Sequence, residues 1–155
     1  MARVSLELPP RQGRRVHPQD LHATLVFLGA VDTNQLPCVL EVAEGIRGKP
    51  FSLSIDQLGF WERPRVIWLG SQAATPAPLE QLVQGLRRGL TACGFPPEAR
   101  PYTAHFTLAR KVRDFAPLPL ASPISCEVRE FALVESVPHV PPPHYVPLKK
   151  WPLGS

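Results

Sequence analysis

The sequence predicts a single domain of mixed strands and helices in the order β-β-α-β-β-α-β-β-β, and three observations carry that expectation. Short runs that alternate apolar and polar residues, or are rich in β-branched and aromatic ones, recur along the 155 residues. Asp32 to Gly48 and Leu79 to Gly94 instead place apolar residues at intervals of three and four, the spacing of one helical face. Finally, Leu21-His22-Ala23-Thr24-Leu25-Val26-Phe27-Leu28-Gly29 returns in similar form as Ala104-His105-Phe106-Thr107-Leu108-Ala109-Arg110, so the chain contains a loose internal repeat.

Taken in order, Val4-Ser5-Leu6-Glu7-Leu8 alternates as a half-buried strand does and stops at Pro9-Pro10. A short basic loop, Arg11 to Arg15, leads to the first His-x-Thr strand, which leaves at Gly29. Leu36, Val39, Leu40, Ala43 and Ile46 form the first helical stripe, with Asp32 or Thr33 as its cap and Gly48 beyond its end. Phe51 to Ile55 is a strand. Leu58 to Trp61 and Val66 to Leu69 flank Glu62-Arg63-Pro64-Arg65 as a hairpin.

Leu79, Leu82, Val83, Leu86 and Leu90 make the second helical stripe, closed by Gly94. A proline-rich loop precedes the second His-x-Thr strand, and the segment from Arg110 to Pro123 reads as loop because prolines interrupt it. Cys126 to Glu135 reads as one strand and Tyr145 to Trp151 as a last, edge-type strand.

Composition bounds the function classes. Hydrophobic residues are 44% and charged residues 19%, values of an ordinary globular chain. The 20 prolines exceed the usual share of about 5% and mark boundaries between elements. A net charge of +4 favours an anionic partner without requiring one. The three cysteines are scattered with no C-x-x-C pair, so neither a zinc site nor a disulfide scaffold is expected. With no secretion leader and no long apolar run, a cytoplasmic protein that does not enter the membrane is expected.

The chemistry resides in the repeated triplets. Residues two apart in a strand share a face, so each triplet presents an imidazole beside a hydroxyl. One such triplet is a common coincidence, whereas two in equivalent places of a repeat, each inside an apolar run, point to a joint role. Histidine titrates near neutrality, so one ring can take a proton while the other gives one. Thr24 and Thr107 can donate hydrogen bonds to phosphoryl oxygens, and Arg110 can pair with them. This set suits hydrolysis of a phosphodiester. No nucleophile-elbow, Walker, dinucleotide-binding or H-E-x-x-H motif is present, and Asp20 and Asp114 are too few for a two-metal site, so no metal and no cofactor is expected.

His22-Ala23-Thr24-Leu25 and His105-Phe106-Thr107-Leu108, with Arg110, resemble the paired signatures of the two-histidine phosphoesterase superfamily. More narrowly, the chain resembles the bacterial RNA 2′,3′-cyclic phosphodiesterases, historically named 2′-5′ RNA ligases. The likeness extends over Leu6 to Pro9, Asp20 to Gly29, Arg65 to Gly70, Arg100-Pro101-Tyr102 and Tyr145 to Trp151. It implies an α+β fold of two lobes, with two antiparallel sheets around a central cleft, helices outside, and residues 1–155 forming one bilobal domain. It also implies hydrolysis of RNA 2′,3′-cyclic phosphate ends to 2′-phosphomonoesters, with reversible 2′-5′ ligation as a side activity. Carried onto this chain, His105 is the base, His22 the acid, Thr24 and Thr107 the phosphate holders and Arg110 the complement to its charge. Reversal of ligation would exchange the two histidines' roles.

The chain departs from the family in one place. Members usually carry a long helix between the first strand and the approach to the first triplet, and here only Arg11 to Arg15 intervenes. The missing helix would leave apolar sheet surface uncovered, through which an otherwise monomeric protein could self-associate. Tyr102 and Trp61 are candidates for stacking on a nucleobase, while Phe27 and Phe60 are expected in the core. Arg14, Arg15, Arg63 and Arg65 read as solvated loop charge before they read as an RNA track. His17, His139 and His144, in proline-rich loops, are assigned no role. Two alternatives to hydrolysis of RNA ends remain, an RNA-end-binding module without turnover and a phosphodiesterase of a small non-RNA cyclic phosphate.

Overall fold

A computed structural model describes residues 13–154 of the chain. Its elements are β1 (Arg14–Arg15), a single 3₁₀ turn (Pro18–Asp20), α1 (Leu36–Gly45), β2 (Phe51–Trp61), β3 (Val66–Gly70), α2 (Ala77–Thr91), β4 (His105–Arg110), β5 (Leu118–Val128), β6 (Glu130–Ser136) and β7 (Tyr145–Pro152). The strand expected at Val4 to Leu8 lies outside the described residues. Among the described residues no α-helix precedes α1.

The strands form two antiparallel sheets, one of five strands in the order β1-β4-β3-β2-β5 and one made of β6 and β7. That is the α+β arrangement expected. Two strand expectations need correction. The segment before Pro123, read as loop, begins β5, which tolerates Pro119 and Pro123 because it is the edge of its sheet and needs bonds on one side only. The single strand expected from Cys126 to Glu135 is broken at Arg129, where the chain leaves one sheet for the other.

The first His-x-Thr segment is a third correction. Leu21 to Gly29 enters no ladder among the described residues, although its side chains still alternate. Leu21, Ala23 and Leu25 pack against the core of the large sheet, whereas His22 and Thr24 face outward. The alternation slips at Leu25-Val26, so Leu28 packs inward and Phe27, expected in the core, is 87% exposed.

Helix α2 buries every residue of its predicted stripe. Leu79 and Val83 pack on Leu53, Ile55, Leu58, Ile67, Leu69, Phe106 and Leu108 of the large sheet. Leu82, Leu86 and Leu90 join Val39 and Ala43 of α1 and Phe131 and Trp151 of the small sheet in a second core. One helix therefore belongs to both cores. Its Gly89 permits a close approach of α1, since a Cβ there would stand 2.5 Å from a methyl of Val42.

Helix α1 starts later than its capping residues suggested. The carbonyl of Asp32 accepts from the Gln35 amide in a preceding turn, and Pro37, which lacks the amide donor, fits the first helical turn. The two helices also carry a cross-link that the cysteine spacing did not suggest. Cys38 of α1 and Cys93, just beyond α2, are joined by a disulfide across a sequence separation of 55, leaving Cys126 free. No short-range spacing rule detects a pair brought together only by helix packing.

Leu69, 0% exposed at the centre of the large sheet, tests this core. Leu69→Ala should lower stability by about 2–5 kcal/mol through lost burial and a residual cavity, seen as a lower urea midpoint with an unchanged slope.

Candidate active site

The second triplet is held by the large sheet. His105 opens β4 opposite Gly70 and Thr107 lies opposite Trp68. Their alternation puts Phe106 and Leu108 into the core and leaves His105 and Thr107 on the other face. On that face the Trp61 ring stands edge-on to the His105 imidazole at 4.6 Å and lies 5.1 Å from the Trp68 ring. The Trp68 indole needs a glycine beside it, because a Cβ on Gly59, its cross-strand partner, would stand 2.1 Å from the ring. The sheet thus builds a row of aromatic rings behind one histidine.

Arg110 poses a problem of phase. Three positions after Thr107, it would face the opposite side in a regular strand. The register shows how the chain resolves this. Ile67 pairs with Ala109 and Trp68 with Thr107, so β4 contains one extra residue at Leu108. Such a bulge shifts the alternation by one. Leu108 and Ala109 are both buried in succession, and Arg110 emerges on the face of His105 and Thr107.

The first triplet arrives without a ladder but presents the same local device. The Nδ1 of His22 bonds to the main-chain carbonyl of Asp20 at 2.6 Å, and the Nδ1 of His105 to that of Thr103 at 2.9 Å. A carbonyl only accepts, so Nδ1 carries the proton in both rings and Nε2 is left available to a ligand. His22, Thr24, His105, Thr107 and Arg110 line one cavity of about 340 Å³, whose walls also include Trp61, Pro64, Val66 and Arg100. Among the described residues, neither threonine hydroxyl is committed to a protein partner.

Tyr102 is placed differently from Trp61. It packs against the large-sheet core and is not one of the cavity walls, and its hydroxyl donates to the carbonyl of Thr24 at 3.0 Å. That bond ties the approach to the second triplet to the first. Burial pushes its phenol from 10.0 up to about 12, with the charge of Arg87 acting in the other direction. Phe60 packs against the same core, as expected.

Arg100, which sequence reasoning did not place in the site, reaches the cavity while paired to Glu98 at 2.9 Å. Hydrogen bonds from the Arg100 side chain and main chain hold the Glu98 carboxyl at about 2. Arg14 lies opposite Arg110 in the register of β1 and β4. Arg63 and Arg65 flank the cavity residue Pro64 in the turn between β2 and β3.

Sequence reasoning also missed the surroundings of His22. The Tyr145 ring lies 4.4 Å from its imidazole, and Asp20 bonds to His144, to which the sequence alone assigns no role. A separation of 124 residues leaves no sequence signal for that contact. Among the described residues, no three His, Cys, Asp or Glu side chains converge to hold a metal ion, and no described helix is long and apolar enough to cross a membrane.

Comparison with known proteins gives a consistent account. The profile of the LigT like Phosphoesterase family matches residues 1–68 and again residues 69–141, one His-x-Thr triplet in each match. The RNA 2′,3′-cyclic phosphodiesterase of Escherichia coli K12 is 36% identical over 146 residues, covering 94% of this chain and 82% of that protein. The protein of the same name from Bacillus subtilis 168 is 39% identical over 103 residues, 62% of this chain and 54% of its own length. Among solved structures, E. coli LigT complexed with 3′-AMP matches with a TM-score of 0.85 and 35% identity, covering 97% of this chain and 87% of that one.

The raised phenol of Tyr102 has a definite sign. Above its unfolded value near 10.0 the unfolded chain has lost a proton that the folded chain keeps up to about 12, so stability falls as pH rises through that window. Tyr102→Phe should remove this alkaline dependence and cost about 1 kcal/mol at neutral pH for the lost hydrogen bond, measured by urea unfolding from pH 7 to pH 11.

Proposed function

Because this chain belongs to the LigT like Phosphoesterase family, we propose that it is an RNA 2′,3′-cyclic 3′-phosphodiesterase, converting cyclic phosphate ends to 2′-phosphomonoesters without a metal ion. The observation that carries this reading is the convergence of both His-x-Thr pairs and Arg110 on one cavity, with both Nδ1 atoms pinned. The names of the relatives and the nucleotide held by E. coli LigT support the substrate class.

The reaction needs one proton taken and one given. Nε2 of His105 takes a proton from water as the water oxygen bonds to phosphorus. The bond from phosphorus to the 3′ oxygen breaks, and the protonated Nε2 of His22 delivers its proton to that oxygen, so the leaving group departs as a hydroxyl. Thr24 and Thr107 donate to the non-bridging oxygens, and Arg110 offsets the charge that builds on them. A nucleoside 5′-hydroxyl in place of water gives a 2′-5′ linkage by the same proton movements. The reverse of that step exchanges the roles of the two histidines. Trp61, beside His105, offers a face on which a terminal base can stack.

Incubation with an oligonucleotide ending in a 2′,3′-cyclic phosphate, in EDTA, should yield the 2′-phosphate. A 3′-phosphate product would refute the assignment of the leaving oxygen, and loss of turnover in chelator would refute metal independence. His22→Ala and His105→Ala should each reduce kcat by about a hundredfold or more, the scale of a lost general acid or base. Near-normal turnover by either folded variant would exclude the paired mechanism.

A further inference from the structure

The two histidines receive the same main-chain bond from unlike frameworks. His105 sits in a ladder with β3 and has Trp61 against it. His22 lies in a segment that joins no ladder among the described residues, and the contacts its ring makes there are with the Asp20 carbonyl and the Tyr145 ring. The residue that accepts its Nδ1 proton is Asp20, whose side chain is 5% exposed and is the one buried charged side chain among the described residues.

Asp20 is held from both sides. Its amide bonds to the carbonyl of His17, closing the 3₁₀ turn. Its Oδ1 accepts from the His144 amide at 2.6 Å, and its Oδ2 contacts His144 Nδ1 at 2.5 Å. A carboxylate only accepts, so Nδ1 of His144 is the donor. The next residue, Tyr145, begins β7 and places its ring against that of His22. Burial tends to raise the Asp20 carboxyl. The His144 side chain and amide, His144's charge and the Tyr145 amide outweigh that, and the group lies below its ordinary value. It therefore stays ionised at neutral pH, and the bond it makes is lost only as pH falls through that lowered value.

A buried carboxylate that loses its partner is left uncompensated, so separating Asp20 from His144 is costly. We propose that the Asp20–His144 pair is the positioning device of His22. It fixes the Asp20 carbonyl that holds the Nδ1–H tautomer and brings Tyr145 against the ring, so that Nε2 is the nitrogen offered to the phosphate. The pair does for the first triplet what the β3–β4 ladder does for the second, and it uses the start of the small sheet to do so. Asp20 and His144 are positioning residues, since neither lines the cavity. The part of the proposal that concerns catalysis rests on the phosphodiesterase reading.

The test combines kinetics with ring-nitrogen spectra of histidine-labelled protein, recorded without substrate. In the unsubstituted protein, at a pH alkaline enough for the ring to be neutral, His22 should show the Nδ1–H tautomer alone. In His144→Ala, His22 should become a mixture of tautomers while His105 is unchanged, with kcat reduced by about tenfold to a hundredfold, the scale of a displaced reacting group, and KM held within about twofold. Asp20→Asn, which can still accept from the His144 amide and donate to His144 Nδ1, should keep the His22 spectrum of the unsubstituted protein. If the alanine variant does not fold, His144→Leu keeps the bulk without the donor and carries the same expectations.

The proposal is overturned if a folded variant lacking the donor leaves both the His22 spectrum and kcat unchanged. It is also overturned if His22 and His105 change together, as general loosening would make them do. The spectra need no substrate. Expected spectra in a protein that does not open cyclic phosphates would therefore uphold the positioning of His22 and refute the phosphodiesterase reading alone.

Discussion

Each catalytic candidate depends on a proton that does not move. By giving Nδ1–H to a carbonyl two residues upstream, His22 and His105 are restricted to one tautomer and one ring orientation. A free imidazole interchanges tautomers, and in one of them would offer the wrong nitrogen. The main-chain carbonyls remove that choice before substrate arrives.

The large sheet holds its triplet with register and packing. Gly59 leaves room for Trp68, Trp68 lies beside Trp61, and Trp61 stands against His105. The bulge at Leu108 then turns Arg110 toward the same cavity without altering the placement of Thr107. A motif written as His, Thr and Arg at offsets of two and three would be incompatible with a regular strand. The spacing is itself a record of the bulge, legible in the consecutive buried pair Leu108-Ala109.

What could be read from the chain alone was what short-range periodicity encodes. The α2 stripe from Leu79 to Leu90, the alternation of Phe51 to Ile55 and the two triplets all report on neighbours a few residues away. What could not be read depended on contacts distant in sequence. Pro119 and Pro123 suggested a loop because proline is excluded from central strands, and the edge position of β5 is not written in the segment itself. Phe27 was expected inside because it is large and apolar, yet the slip at Leu25-Val26 turns it outward. Cys38 with Cys93, and Asp20 with His144, meet only after the chain has folded.

The edge position of β5 has a bearing on how the chain behaves in a crowd of its own kind. A sheet's outer strands expose unpaired amides and carbonyls that can recruit another chain by backbone pairing. On one side of the large sheet, the described outer strand is only two residues long, Arg14–Arg15, and both residues are cationic. On the other, Pro119 and Pro123 deny a docking strand two of the donors that it would need. The prolines that obscure the fold in the sequence thus act as stops against strand-by-strand growth at that edge of the large sheet.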